Sequence, residues 1–365
     1  MILVRDVLQV IERLAPPSYA MESDNIGLLV GNSTDAVRGV AVCLDASVSI
    51  VERAKADGAN LLVAHHPIIW NGLRTITPGV ASGPALMAIL RGNMHLIAAH
   101  TNWDCAEFGI NRTLLVRLGL EPDPEYFPAP PIESKLIFFS PAEAVDGLVE
   151  LLSEVGAGVI GDYSHCSFQA TGIGTFFGHA GTDPVVGNPG ELTRASEIRV
   201  EMVVPKHKQS AVIAALVKHH PYEVPAFELL PRLAETAPIV RTATRNEPAD
   251  INSFWREVEA KLGAPSLAWS GGDHPVRRIG VVGGAAGGYW RQAKAAGCDT
   301  FISGEIPHHE VIEATTAGVH MVQAGHFATE NPGMQRLTED LRAALPDLPV
   351  SFYEPPAGTG GRPLS

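Results

Sequence analysis

Two adjacent histidines, His65 and His66, end the apolar run Leu61-Leu62-Val63-Ala64, and Pro67 stops the strand. In an open α/β sheet, ligands bind where such strands end. Successive side chains of an extended chain point to opposite sides, so neighbouring imidazoles suit two different metal ions better than one shared ion. Three more residues have matching types and places. Asp104 follows the apolar stretch His95-Leu96-Ile97-Ala98-Ala99, and His326 and Glu330 follow His320-Met321-Val322-Gln323-Ala324. His326 and Glu330 are four residues apart and share a face on a helical turn. Imidazoles and carboxylates in this combination bind Zn, Mn, Fe, Co or Ni. With Glu330 bridging, the five side chains can hold two divalent ions per subunit and leave positions open. Water in such a position ionises near neutral pH. The two carboxylates cancel only half the charge of two divalent ions, so the centre stays positive and attracts phosphate.

His100 and His309 are the candidates for moving a proton or orienting a ligand. The glycine run Gly283-Gly284-Ala285-Ala286-Gly287-Gly288 follows a strand but lacks the lysine of a phosphate loop, and its expected role is close backbone approach. His219-His220-Pro221 repeats the HHP triplet at the end of a helix, where charge favours the helix C-terminus. The triplet alone therefore carries little; the buried strand before His65 and the distant partners carry the inference.

These residues need elements to hold them. Val4 to Leu14 has helical spacing, and Leu28 to Gly31 and Gly39 to Leu44 read as strands. Asp45-Ala46-Ser47 caps a helix over Val48 to Asp57 that ends at Gly58. Asp104 begins a helix running past Asn111 to Leu118. The alternation of strand and helix predicts a mostly parallel sheet. From about residue 121 the prolines Pro122, Pro124, Pro128, Pro130 and Pro131 mark a linker. Beyond it, Leu136–Phe139, Ala142–Ser153, Ser167–Phe177, Glu197–Val204, Lys206–His219 and Tyr222–Leu230 alternate as βαββαβ, a ferredoxin-like unit. Ala234 to Pro248 reads as irregular.

The first pattern then returns. Gly39-Val40-Ala41-Val42 is echoed by Gly280-Val281-Val282-Gly283, and Ala54-Lys55-Ala56-Asp57-Gly58 by Ala293-Lys294-Ala295-Ala296-Gly297. Each echo leads into a strand with a polar end. The fold class is thus α/β, with duplicated strand–helix units in a mostly parallel core and an inserted α+β domain. The expected domains are a discontinuous core of residues 1–131 and 233–353, an insert of 132–232, and a disordered tail of 354–365.

Composition narrows the partners. A formal charge of −13 argues against nucleic acid as the main partner, which needs clustered Lys and Arg. No run approaches the ~18 apolar residues of a membrane span, and Arg5 and Asp6 interrupt the apolar start that a secretory leader needs. The four cysteines, Cys43, Cys105, Cys166 and Cys298, form no CxxC pair, which fits a reduced, cytoplasmic setting.

The segments Asp24-Asn25-Ile26-Gly27-Leu28, His65-His66-Pro67, His100-Thr101-Asn102-Trp103-Asp104, Ser303-Gly304-Glu305 through His309, and Gly325-His326-Phe327-Ala328-Thr329-Glu330 resemble the NGG-one-interacting factor three-like family. Its members often carry the name GTP cyclohydrolase I type 2. The resemblance spans nearly the whole chain, and the insert resembles the family's CutA-like or PII-like domain through Gly172-Ile173-Gly174-Thr175-Phe176 and His220-Pro221-Tyr222-Glu223-Val224-Pro225-Ala226. It implies a dinuclear centre on His65, His66, Asp104, His326 and Glu330, with Glu330 touching both ions. It implies a homohexameric toroid with its metal sites facing an internal cavity. It also implies metal-dependent hydrolysis of a nucleotide, with ring opening at C8 of guanine and loss of formate, or of a phosphoester. A non-enzymatic metal-binding oligomer, acting as regulator, metal chaperone or interaction partner, is the alternative. Two positions depart from the family: Glu235-Thr236-Ala237-Pro238-Ile239 replaces a Gly-Leu-Gly-Arg turn, and Phe327 replaces a tyrosine.

Overall fold

The computed structural model describes residues 1–70, 72–124, 133–160, 163–205, 208–231 and 238–358. The chain forms two units, Met1–Pro128 with Thr236–Ser365, and Ala129–Glu235.

The first unit is built on two five-stranded sheets. One contains β1 (Gly27–Val30), β2 (Val40–Cys43), β3 (Leu61–Ala64), β4 (His95–Ala98) and β14 (Val350–Phe352), in the order β1-β4-β3-β2-β14. Only β1 is antiparallel to its neighbour. Its helices are α1 (Val4–Leu14), α2 (Val48–Ala56), α3 (Gly83–Arg91) and α4 (Thr101–Asp104); α5 (Ile110–Arg117) puts Ile110 into this core and Leu114 and Leu115 into that of the other sheet. The strands are apolar on both faces because both are covered. Val40, Val42, Leu61, Val63 and Ile97 pack with Val7 and Ile11 of α1, while Ala41, Leu62 and Leu96 pack with Ile50 and Val51 of α2. Each such buried Val, Leu or Ile side chain contributes about 1.5–3 kcal/mol.

The other sheet has β9 (Arg241–Ala249), β10 (Leu267–Trp269), β11 (Val276–Val282), β12 (Thr300–Ser303) and β13 (His320–Gln323), ordered β10-β13-β12-β11-β9. Its three central strands are parallel and both edges antiparallel. Helices α8 (Ile251–Leu262), α9 (Trp290–Ala295) and α10 (His308–Thr316) belong to it. Phe254 and Val258 of α8 pack with Val281, Ile302 and Val322 on one face; Trp290 and Val311 pack with Phe301 and Met321 on the other. Helix α11 (His326–Ala344) starts at the end of β13, but Met334, Leu337 and Leu341 on it pack into the core of the first sheet. The chain then adds β14 to that sheet, Val350 opposite Val40.

The second unit has the order β5 (Glu133–Ser140), α6 (Ala142–Glu154), β6 (Ser167–Phe177), β7 (Leu192–Pro205), α7 (Gln209–His219) and β8 (Phe227–Pro231). Its sheet is antiparallel throughout, ordered β6-β7-β5-β8. Leu148 and Leu152 of α6 and Val212 and Leu216 of α7 pack on Leu136, Phe138, Val200 and Met202.

Several expectations change. Asp104 ends the one-turn helix α4 rather than opening a long one. The Cys105 and Ala106 carbonyls accept from the buried Arg241 guanidinium at 3.2 and 2.8 Å, which breaks the helical ladder there. Part of the stretch read as irregular is strand β9, whose Ala243 is buried against Ile279. The last strand of the second unit starts at Phe227, after Pro225, rather than at Tyr222. The linker prolines from Pro128 onward, the Glu235–Ala237 part of the family departure and residues 359–365 of the tail lie outside the described residues.

Candidate metal centre

The parallel strands of both sheets deliver their carboxyl ends to one place. His65 and His66 follow β3, His100 and Asp104 lie just beyond β4, and Glu305 follows β12. His326 and Glu330 lie on the first turns of α11. His66 Nε2 and His326 Nε2 are 3.1 and 3.0 Å from Glu330 Oε2. His65 Nε2 is 3.5 Å from Asp104 Oδ1 and 3.8 Å from Glu330 Oε1. Glu330 therefore stands between two groups of nitrogen and oxygen atoms, one on each carboxylate oxygen.

The imidazoles are oriented from behind. His65 Nδ1 donates to the Ala99 carbonyl at 2.8 Å, which fixes its tautomer because a carbonyl can only accept. His66 Nδ1 donates to Asp45 Oδ1 and His326 Nδ1 to Glu305 Oε1, each at 2.8 Å. His100 Nδ1 donates to Asp24, 2.9 Å from both carboxylate oxygens, and Asp24 also accepts from the Thr101 N–H and hydroxyl. Every Nδ1 proton is thus engaged, and the Nε2 atoms are left to face the centre.

Three atoms there, His65 Nε2, Asp104 Oδ1 and Glu330 Oε2, are buried and take no directed hydrogen bond, even though His66 and His326 approach Glu330 closely. A buried polar atom without a partner costs about 1–3 kcal/mol. A cation between His65 Nε2 and Asp104 Oδ1, and another at Glu330 Oε2 beside His66 and His326, would satisfy them. The ligand atoms fall into three groups, each within 4.8 Å: His65, Asp104 and Glu330; His66, His326 and Glu330; and His65, His66 and His100. Among the described residues these buried His, Asp and Glu groups could hold a metal ion.

Charge follows the same geometry. Burial raises the Asp104 carboxyl to about 7, and the Glu330 charge adds to the effect. Burial alone would also raise Glu330, but the surrounding His65, His326 and His66 hold it well below the ordinary carboxylate range. Burial opposes protonation of His66, yet Asp45 and Glu330 outweigh it and lift the imidazole to about 10. His326 is lifted to about 9 against the same opposition, by Glu330 and Glu305. Without an ion, protons take the place of positive charge.

A glycine makes room for Glu330. Gly284, after β11, has φ +66°, and a Cβ there would lie 2.1 Å from Glu330 Oε1. The glycine run thus allows close approach, as expected, though to a carboxylate rather than to a phosphate. Trp70, over half exposed, sets its ring edge-on to His100 with centroids 5.0 Å apart.

The structure brings His65, His66, His100, Asp104, His326 and Glu330 together. His309 is elsewhere: its side chain is 70% exposed on α10, and Nε2 lies 3.6 Å from Glu310 Oε1. Asp45 does not cap α2, whose N-cap is Ser47 without a side-chain hydrogen bond; it holds His66 instead. In the second HHP triplet, His219 stands in the last turn of α7 as expected, but His220 does not serve the helix end. His220 is buried and donates to the Phe139 carbonyl, and burial lowers its pKa, so it brings no charge to the helix end. Asp24, Asp45 and Glu305 were not singled out by sequence as anchors. Asp45 and Glu305 are acids just past the ends of parallel strands, and that shared placement was the available signal.

The comparisons agree with this architecture. Residues 2–356 match the model of the Duf34/NIF3 (NGG1p interacting factor 3) family. A protein of Halalkalibacterium halodurans named "GTP cyclohydrolase 1 type 2 homolog" is 33% identical over 346 residues, 93% of this chain and 92% of its own. Its namesake in Bacillus subtilis is 33% identical over 331 residues, 89% of this chain and 88% of its own. The solved structure of a Bacillus cereus protein related to NIF3 superposes with TM-score 0.68 at 30% identity, covering 99% of this chain and 98% of that one. Staphylococcus aureus protein SA1388 reaches TM-score 0.76 at 23% identity over 98% of both chains, which shows the shared fold. With imidazoles and carboxylates gathered at the sheet ends and a match that runs from residue 2 to residue 356, this chain belongs to the Duf34/NIF3 family.

Proposed function

We propose that His65, Asp104 and Glu330 hold one divalent ion, that His66, His326 and Glu330 hold a second, and that the protein is a metal-dependent hydrolase of a nucleotide or another phosphoester. The observation that carries this reading is the Glu330 carboxylate, common to both groups and buried with an unsatisfied oxygen. When bound, such ions act as Lewis acids and supply a nucleophile at neutral pH. The chain's own residues do the rest. Ala99, Asp45 and Glu305 fix the ligand imidazoles. His100, fixed by Asp24, presents Nε2 beside His65 and His66, where it can hold or pass a proton. Of the two catalytic candidates we retain His100, because His309 lies outside the gathered groups.

The names of the curated relatives make GTP the leading substrate to test. The second unit reads as ferredoxin-like, supported by its βαββαβ order and its strand order β6-β7-β5-β8. The two strand–helix–strand series, β2 to β4 and β11 to β13, support a duplicated core. We read the assembly as a homohexamer on family membership alone. A reducing, cytoplasmic setting is supported by four free cysteines, three of them buried. No helix among the described residues is long and apolar enough to cross a membrane.

The deciding experiment loads the purified protein with Zn, Mn, Fe, Co or Ni in turn. It then assays formate release from GTP and phosphate release from a panel of mono- and diesters. Turnover by the native chain, lost in Glu330→Ala with the oligomer retained, supports the hydrolase. Metal uptake without turnover on any substrate would leave the non-enzymatic metal-binding oligomer.

A further inference from the structure

The second unit contains a cavity of about 460 Å³, well separated in sequence from the metal ligands, which no part of the reading above uses. Its walls come from the end of β6, the turn from 178 to 190, the start of β7 and the segment before β8. Phe139, Phe176, Phe177, Val185, Val186 and Val224 make most of it apolar. Phe177, Val185 and Val224 are 50%, 55% and 82% exposed in the single chain. The volume and apolar lining are those of a small-molecule site. The walls are tied together: the Asp183 N–H donates to Glu223 Oε2 at 3.2 Å, and the Gly190 N–H to the Gly178 carbonyl at 2.8 Å.

The polar side chains of the lining are Thr175, Thr182, Glu197, Tyr222 and Glu223; Glu223 is exposed at the rim, and Glu197 and Tyr222 sit deeper. Glu197 is half-buried and has no ion-pair partner among the described residues, whereas Glu201 on the same strand is paired with Lys135 at 2.7 Å and Arg199 at 3.0 Å. Gly174 leaves the space that Glu197 occupies, since a Cβ there would lie 2.0 Å from Glu197 Oε2. Tyr222 Oη is buried, and burial together with its interaction with the Glu197 carboxylate raises the pKa of the phenol, so it stays protonated and neutral beside that carboxylate. His220, next to this wall, is kept toward its neutral form by burial and brings no compensating charge.

We infer that this cavity is a binding site for a small organic ammonium ion with an aromatic or similarly bulky apolar body. Glu197 receives the ammonium group, and the phenylalanines and valines receive the body. A carboxylate with no cationic partner among the described residues, set among apolar walls, selects positive charge and rejects an anion of the same shape.

The probes are tryptamine, indole-3-propionate and methylammonium, titrated into the full-length protein by calorimetry and by ligand-observed saturation-transfer NMR. Tryptamine should bind saturably, and the other two should not. Glu197→Gln should weaken tryptamine about tenfold or more without changing the far-UV spectrum, metal content or oligomeric state. Val224→Asp, at an exposed wall position, should retain the fold and alter tryptamine affinity. Absence of saturable tryptamine binding, equal binding of indole-3-propionate, or affinity unmoved by Glu197→Gln in a folded protein would each overturn the inference. None of these outcomes bears on the metal centre.

Discussion

Glu330 Oε2 lies 3.1 Å from His66 Nε2, joining a residue of the last long helix to the strand end of the first sheet. No local element contains both, so the site exists only when the two sheets have packed. Glu330→Ala removes the carboxylate common to two of the ligand groups. The metal content, read by elemental analysis after loading, is expected to fall by roughly half or more, with far-UV dichroism unchanged. Full metal retention would refute the shared-ligand reading.

The anchors behind the imidazoles give a separate test. Asp45→Asn and Glu305→Gln each weaken an acceptor 2.8 Å from a ligand Nδ1 without touching the centre. Metal affinity is expected to drop about 10–100-fold in each, with thermal stability of the chelated protein nearly unchanged. Competition against a fluorescent chelator measures it; affinities equal to wild type would show that the anchors do not matter.

At Gly284 the conformation and the space both exclude a side chain. Gly284→Ala must carry φ +66° and a Cβ placed 2.1 Å from Glu330 Oε1. The expected cost is about 1–3 kcal/mol of stability, together with impaired metal binding as the carboxylate is pushed aside. Denaturant melts with and without chelator separate the two effects. At Gly283, with no positive φ, a Cβ would meet an isoleucine methyl at 3.0 Å and Glu330 Cγ at 3.2 Å, so Gly283→Ala should lose less than Gly284→Ala.

Metal uptake should depend on pH in a definite direction. In the metal-free centre, His66 titrates near 10 and His326 near 9, so both imidazoles hold a proton at neutral pH. An ion must displace those protons from Nε2. Affinity therefore rises with pH through the neutral range and levels off above these values. The slope is up to about tenfold per pH unit for each proton released. Below about 7, Asp104 adds a further proton to be displaced. Calorimetry in buffers of different ionisation enthalpy counts the protons; a count of zero at neutral pH would contradict the assignment.

Much of this was legible in the sequence, and the exceptions have physical causes. The apolar run before His65 showed a buried strand, and the spacing of His326 and Glu330 showed a shared helical face, because both patterns are local. Strand β9 was missed because it is an antiparallel edge whose exposed half reads as polar loop. The break after Asp104 was hidden because its cause, Arg241, is far along the chain. Asp45-Ala46-Ser47 reads as a capping segment, and Ser47 is the N-cap; only the folded geometry shows Asp45 turned toward His66.

Helix α11 leaves the second sheet carrying His326 and Glu330, and the chain behind it returns to complete the first sheet with β14. During synthesis the first sheet emerges with one edge unfilled and its two imidazoles without their distant counterparts. The docking surface for the ion is therefore assembled last, after nearly everything else has been translated. A ribosome-bound chain holds only half a cage, and if the proposed ions bind, the order in which its parts arrive would disfavour premature capture of metal by the nascent protein.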